Sequence, residues 1–391
     1  MNNIYIISAL RTSIGDFGGY FKSLSSLDLI VPVIDKTIEN AGIEKNKIGK
    51  VIIGNTLSPI TPNIARGAAI KSKIPPETPS FSIHCACASS MQAFLSGASA
   101  LMLGETDVAL VGGVESMSNA PYLLSAERWG KRLRHAEATD LLWWSMQDDP
   151  IMGGMGLAAD FIAQEFNISR EEQDELSALS HQRACRAINE AYFKSQIIPI
   201  EINNKKSSQI IDTDQHPRPD AVFENLSKLR PAFTADGTVT AGNASSLNDG
   251  AAAIIMATAH ACDEYGLKPL AKVGSWSIKA AEPKLTGIAP VPAIREVLNK
   301  EGLQISDLEL IELNEAFASY YIACEKELKL DRSRVNVNGS GISLGHPVGA
   351  TGSRLVVTLL HEMIRRDVGQ GLASLCAGGG MGYAVSIQRN F

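Results

Sequence analysis

The chain has little of several things at once. Only six of its 391 residues are cysteine, and Cys85, Cys87, Cys185, Cys262, Cys324 and Cys376 form no CxxC pair and no zinc-like spacing. In a chain this long, that scatter predicts reduced thiols rather than a disulfide framework, and no metal site. No basic run exceeds two residues, as at Lys205-Lys206, and the net charge is -6. Nucleic acid and anionic membrane are therefore disfavoured as partners. Nowhere do ~18 apolar residues follow one another as a bilayer span requires. The opening "MNNIYIISALRT" lacks the basic start and apolar stretch of a secretion signal. These absences predict a soluble, cytoplasmic protein.

What is present is an ordinary globular balance, 45% hydrophobic and 20% charged, enough for two or three domains with a large core. Short apolar runs read as buried strands: "NIYIISA" at 3–9, "KVIIGN" at 50–55, "VALVGG" at 108–113, "AAAIIMA" at 251–257, "LELIELN" at 308–314 and "LASLCAGG" at 372–379. Segments of helical spacing lie between several of them, which predicts α/β layers. Two stretches share one pattern of helix, short turn, apolar strand and double glycine. One runs from Ala88 through "VALVGG", the other from Gly349 through "LASLCAGG". The pattern suggests internal duplication. Residues 119–248 differ in character, with "AERWGKRLRHAEATDLLWWSMQDD", a capping box at Ser169-Arg170-Glu171-Glu172 and irregular chain at "HPRPDAVF". They read as an insertion over a site or at an oligomer contact.

Four places carry candidate chemistry. Cys87 follows "FSI" and precedes Ala88-Ser89-Ser90, a strand-to-helix turn of small residues. A thiol at a helix N-terminus is drawn toward thiolate, the nucleophilic form, and small neighbours admit an acyl group. A buried structural cysteine is the plain alternative, and Cys85 lies a turn earlier. His346, held between Gly345 and Pro347 in "NGSGISLGHPVGATG", is placed to act as a base or hydrogen-bond donor. Asn314 and Glu315 close the run "LELIELNEAF", where α/β proteins place site residues, although Asn314 could instead cap a helix. Cys376 is read as lying in the last strand, and the glycines after it, Gly378 to Gly380, could turn backbone N–H groups into a pocket. The small polar stretch "GTVTAGNASSLNDGAAA" at 237–253 could hold an extended ligand.

Taken in order, "GGVESMSNAPYLL" (112–124), "GTVTAGNAS" (237–245), "NEAFA" (314–318), "VNVNGSGISLGHPVGATGSR" (335–354) and "LCAGGGMG" (375–382) resemble the thiolase family, the acetyl-CoA acetyltransferases and 3-ketoacyl-CoA thiolases. The resemblance implies a duplicated five-layer αβαβα fold. Its N-terminal half would be residues 1–118 plus 249–268, its loop domain 119–248 and its C-terminal half 269–391. It implies Cys87 rather than Cys85 as acyl acceptor, His346 as base, Cys376 as the second proton carrier and Asn314 as holder of a water. Oxyanion contacts would come from the amides of Cys87 and Gly378 and from His346 and Asn314. Ser245, Arg218, Met155, Phe317, Ala244 and Gly154 match positions near CoA or the acyl group. No cofactor would stay bound, and coenzyme A enters as substrate. Homodimers or homotetramers are implied, and some relatives with unusual substrates work with a small zinc-ribbon/OB partner subunit.

This chain departs from the family pattern at Ser90, at His84, at Gly154 (where short-chain enzymes tend to carry histidine), at Ser246 and at Ser340. An open space at Gly154 and the Trp143-Trp144 pair predict a bulky substrate, whether branched, aromatic or carboxylated, with plain acetoacetyl-CoA as the alternative. A ketoacyl-synthase-type condensing enzyme would lack Cys376. A non-catalytic acyl-CoA-binding subunit would have lost Cys87, His346 or Cys376, and all three are present.

Overall fold

The computed structural model describes residues 3–390 apart from 58–60, 126, 134, 149, 151–152 and 205–206, so the Lys205-Lys206 pair lies outside the described residues. Runs of valine, isoleucine and alanine form most of its strands. The central strands Val108–Ser116 and Asn248–Thr258 are buried along their whole length, as expected of a sheet covered on both faces. In chain order the strands are β1 (Ile4–Arg11), β2 (Lys50–Gly54), β3 (Ser80–Ile83), β4 (Val108–Ser116), β5 (Asn248–Thr258), β6 (Ala271–Ala280), β7 (Leu310–Leu313), β8 (Gln370–Ala377) and β9 (Met381–Gln388). The main helices are α1 (Ser26–Ala41), α2 (Ile64–Lys71), α3 (Ser89–Met102), α4 (Arg170–Asn189), α5 (Pro290–Glu301), α6 (Ala318–Leu328) and α7 (Thr351–Arg366).

Strand order shows the duplication directly. One half of the sheet reads β3-β2-β4-β5-β1, with two parallel pairings followed by two antiparallel ones. The other half reads β7-β8-β9-β6, parallel then twice antiparallel, and a parallel bridge from Ile311 to Val335 stands where a further strand would lie. Helices fall at matching points: α1 and α5 after the first strand of each half, α2 and α6 after the second, α3 and α7 before the next. The halves meet where Tyr5 pairs with Lys272 and Ile6 with Ala271, so among the described residues they form one ten-stranded sheet, with Gly15–Asp16 as a short extra strand beside β5.

Three large cores make five layers. α1 and α2 cover one face of the first half, and α5 and α6 one face of the second. Between the halves, α3 and α7 share a core with both. Glycine permits their contact, since a Cβ on Gly352 would stand 2.4 Å from the Met91 nitrogen. The Ser353 N–H donates to Ser90 Oγ at 2.9 Å in the same seam. The seam places the N-termini of α3 and α7 together, and the segments carrying Cys87 and His346 lead into those two N-termini.

The capping box at Ser169 opens α4. Three strands do not show as apolar runs. β6, "AKVGSWSIKA", alternates small, polar and apolar residues, β3 is four residues long, and β9 starts directly after three glycines. Cys376 therefore lies in the penultimate strand of the sheet, because β9 follows it. Among the described residues no helix is long and apolar enough to cross a membrane.

Candidate active site

The turn before α3 is pinned by its own side chains. The Cys85 N–H donates to Ser89 Oγ at 2.9 Å, and that hydroxyl donates to the Ala86 carbonyl at 2.6 Å. Ala86 is held at φ 45°, a left-handed conformation that costs an alanine roughly 1–3 kcal/mol. The turn sets the Cys87 sulfur against the backbone N–H of Gly378, which comes from the other half of the molecule. Burial pushes the Cys87 thiol up to about 11; the N–H groups of Gly378 and of Cys87 itself oppose the rise, and the Glu115 carboxylate adds to it. Position near a helix N-terminus predicts a lowered thiol, but here loss of water outweighs the dipole. Cys87 therefore rests as a thiol, and would need a base to act as a nucleophile. The Cys85 thiol instead bonds the buried Tyr383 side chain.

The base candidate is fixed from several directions. Its N–H donates to Asn248 Oδ1 at 2.8 Å, and Gly345, at φ 105°, leaves room for that amide, which a Cβ would meet at 2.6 Å. His346 Nδ1 lies 2.7 Å from Thr351 Oγ1, while Nε2 is buried with no hydrogen-bond partner among the described residues. Burial first, and then the Arg354 charge, push the imidazole down to about 3. His346 is therefore neutral at rest. Asn314 follows β7, and its Oδ1 accepts from Arg354 Nη2 at 3.2 Å, which turns its Nδ2 toward His346 Nδ1 at 3.5 Å. The capping alternative for Asn314 fails, because the N-cap of α6 is Phe317. Glu315 is committed elsewhere, accepting from Ser180 Oγ at 2.6 Å and Asn336 Nδ2 at 2.9 Å. Cys376 is 5% exposed, and burial, then Cys87 and Cys324, push its thiol well up.

Cys87, His346, Cys376 and Gly378 line one cavity of about 160 Å³. Ala244, Ser245, Met155 and Phe317 line it too. The chain at 243–245 reaches it by pairing with the end of the "NEAF" segment: the Ser245 N–H donates to the Ala316 carbonyl at 2.9 Å, and Ala244 bridges Phe317. Phe317 in turn stands edge-on to Phe233 and Tyr320, which extend the wall. Asn314 is one contact behind, through His346. Arg218 does not line this cavity; it is exposed and borders a separate groove of about 730 Å³ along α4.

The space expected at Gly154 is filled. A Cβ there would stand 2.7 Å from Gln147 Oε1, because the short helix Leu141–Gln147 folds back and sends Met146 and Gln147 to the cavity wall. Trp143 and Trp144 on that helix point outward, 58% and 40% exposed, and do not line the cavity.

Glu115 was not singled out by the motifs. At the end of β4 it is wholly buried, and it accepts from the N–H groups of Thr56 (3.1 Å), Leu57 (3.1 Å) and Gly349 (3.0 Å) and from Asn55 Nδ2 (3.0 Å). It ties a strand of the first half to the loop that holds His346. Its one sequence signal is a carboxylate inside the apolar run "VALVGGVES".

Models of the N-terminal domain of thiolase match residues 4–260, and of the C-terminal domain residues 267–389. The chain belongs to the thiolase family of acyltransferases. This thiolase is 43% identical to beta-ketothiolase BktB of Cupriavidus necator over 99% of both chains, and 39% identical to the human mitochondrial 3-ketoacyl-CoA thiolase over 99% of this chain and 98% of that one. Its fold superposes on an acetyl-CoA acetyltransferase of Bacillus anthracis with a TM-score of 0.97 at 44% identity, covering 99% of each chain. A solved human mitochondrial 3-ketoacyl-CoA thiolase in complex with CoA matches with a TM-score of 0.96 at 38% identity, covering 100% of this chain and 98% of that one.

Proposed function

We propose that this thiolase cleaves a 3-oxoacyl-CoA with coenzyme A, or runs the reverse Claisen condensation, through an acyl group on Cys87. The observation that carries the reading is the convergence of Cys87, His346 and Cys376 on one cavity. His346 Nε2, unpartnered and neutral, takes the Cys87 proton, and the thiolate attacks the C3 carbonyl. Amides of Cys87 and Gly378 face the oxygen that becomes negative. The C2–C3 bond then breaks, its electrons moving onto the thioester as an enolate stabilised by His346 and a water on Asn314. Cys376 delivers a proton to C2, and acetyl-CoA or its substituted analogue leaves. Incoming CoA gives its thiol proton to Cys376, attacks the acyl-Cys87 carbonyl and leaves as acyl-CoA. The returning Cys87 thiolate recovers its proton from His346.

For the acyl group, the cavity favours hydrocarbon. Met117, Met146, Leu247 and Val348 line it, and among the described residues no lysine or arginine does. A carboxylated substrate would find no counter-charge there, whereas methionines adapt to a longer or branched chain. Thiolysis rates for acetoacetyl-CoA, 3-oxohexanoyl-CoA and 3-oxoadipyl-CoA test this. The six-carbon monoacid is expected to react fastest and the diacid slowest; a clear preference for acetoacetyl-CoA returns the protein to the acetyl-CoA C-acetyltransferase reading. Assembly as a homodimer or homotetramer is part of the proposal. It is supported by β3, which lies at the sheet edge with Phe81 41% exposed; sedimentation as a monomer would remove it.

A further inference from the structure

A histidine base needs something to decide which ring nitrogen carries its proton. In many hydrolytic sites a carboxylate takes that role, but here, among the described residues, the His346 ring meets the Thr351 hydroxyl at 2.7 Å, while the Asn314 Nδ2, a donor only, lies 3.5 Å from the same Nδ1. Thr351 is wholly buried at the first position of α7. Its Oγ1 also lies 3.0 Å from the carbonyl of Pro347, four residues back. This is the backward bond that threonine commonly makes in a helix.

A hydroxyl has one proton. If Thr351 gives it to Pro347, its oxygen is left as an acceptor, Nδ1 must carry the ring proton, and Nε2 presents a lone pair. If it gives the proton to Nδ1, Nε2 becomes a donor and cannot deprotonate anything. The Asn314 NH2 would bond Nδ1 only in the second arrangement, but at 3.5 Å it is the longest of these contacts, and the shorter Thr351 geometry and the surroundings of Nε2 favour the first. Nε2 has no hydrogen-bond partner among the described residues, and the side chains that share its cavity include two thiols, Cys87 and Cys376, which at rest can donate S–H to a lone pair but accept only weakly. An Nε2–H there would be buried without a partner, at a cost of about 1–3 kcal/mol.

We infer that Thr351 is the positioning residue that sets the tautomer of His346: its hydroxyl donates to the Pro347 carbonyl and accepts Nδ1–H, leaving the Nε2 lone pair free for the Cys87 proton. The inference rests on the reading of His346 as the base for Cys87. It also accounts for a neutral orienter. When Nε2 takes the Cys87 proton, the imidazolium keeps its Nδ1–H bond to Thr351 with no rearrangement. Because the hydroxyl has no charge, it does not hold the ring protonated between turnovers. The charged and titratable groups around the ring act in the same sense. Arg354, on the same helix, opposes an imidazolium, and Arg354 is itself compensated by Glu312 at 3.7 Å. Cys87, before α3, and Cys376, on β8, face the ring as neutral thiols.

The test has two parts. Nitrogen-15 spectra of the histidine-labelled full-length protein report the His346 tautomer; the inference expects a proton on Nδ1 and a bare Nε2, and a proton on Nε2 overturns it whatever the variants do. Transfer of labelled acetyl from acetyl-CoA to Cys87 is then measured in Thr351→Val and Thr351→Ser. Valine keeps the shape and removes the oxygen, so the acylation rate should fall about 100-fold with KM within a few-fold, while serine should stay within a few-fold of the starting rate. A valine variant that folds and acylates at the starting rate, or a serine variant as slow as valine, overturns the inference. Cys87→Ser keeps the two questions apart. Retained label in that variant would sink the Cys87 reading, whereas lost label together with a fast Thr351→Val sinks only the role of Thr351.

Discussion

The two halves of the sheet use the same sequence of strands and helices, yet they differ most at one matching connection. Between β4 and β5 the first half carries residues 117–247, whereas between β8 and β9 the second half has only the turn 378–380. The long connection supplies walls: Met146, Gln147, Met155, Phe233 and Ser245 all come from it. The short one supplies a backbone N–H, that of Gly378, at the Cys87 sulfur. The segments leading to the central helices diverge in the same spirit. The one before α3 holds a half-buried thiol on a strained turn, and the one before α7 holds a buried imidazole in a polar lattice. One duplicated frame thus gives two unlike reagents a common centre. On the proposed reading the halves divide the chemistry, with the nucleophile on one side and the proton carriers on the other.

That division can be broken one side at a time. Cys87→Ala removes the acyl acceptor, and thiolysis should drop by about 10⁴-fold or more, measured as CoA-dependent loss of a 3-oxoacyl-CoA. Cys376→Ala should separate two reactions that share Cys87. Carbon–carbon cleavage, which needs a proton delivered to C2, should fall about 10³-fold, while transfer of acetyl from acetyl-CoA to Cys87, in which Cys376 only protonates CoA, a thiolate able to leave unaided, should fall by no more than about tenfold. Equal losses in both reactions would contradict a proton delivery by Cys376 that matters most at C2.

Smaller effects probe the joints between the halves. Glu115→Ala leaves buried N–H groups of Thr56, Leu57 and Gly349 without their acceptor, so stability should fall by about 1–3 kcal/mol, read as a lower denaturation midpoint. Gly352→Val forces a side chain into the α3–α7 seam and should cost about 1–3 kcal/mol in the same assay. Acidity gives the mildest signal. Burial pushes the Glu115 carboxyl from 4.5 up to about 7 despite its hydrogen bonds. The folded state then holds a proton that the unfolded chain releases, so its contribution is fully present below about 4.5 and is lost as pH rises toward about 7. The melting temperature should decline across that window, and it should decline less in Glu115→Gln.

Much of this division could be read from residue types. The small residues after Cys87, the glycines around His346 and the run ending in Cys376 each mark a tight approach of backbone, and they led to the three side chains now found in one cavity. The matched pattern of helix, turn and strand in the two halves pointed to duplication, although the double glycines are not equivalent. Gly112-Gly113 lies inside β4, and the glycines at 378–380 lie in a turn. What stayed hidden depends on contacts remote in the chain. Gln147 fills the space at Gly154 only because a helix folds back, which no local pattern encodes. The rise of the Cys87 thiol reflects burial in the folded site, which outweighs the helix dipole that its place in the sequence suggests. Thr351 and Glu115 act through hydrogen bonds that local spacing does not reveal.

The central claim is that groups from both halves act on one acyl carbon carried by Cys87. Peptide mass mapping after a single addition of acetyl-CoA, with free CoA removed, tests it most directly. The account predicts one acetyl group per chain, on the peptide containing Cys87, with Cys85 and Cys376 unmodified and the adduct absent from His346→Ala over the same interval. An acetyl group on Cys376 or Cys85, or unchanged labelling without His346, would contradict it.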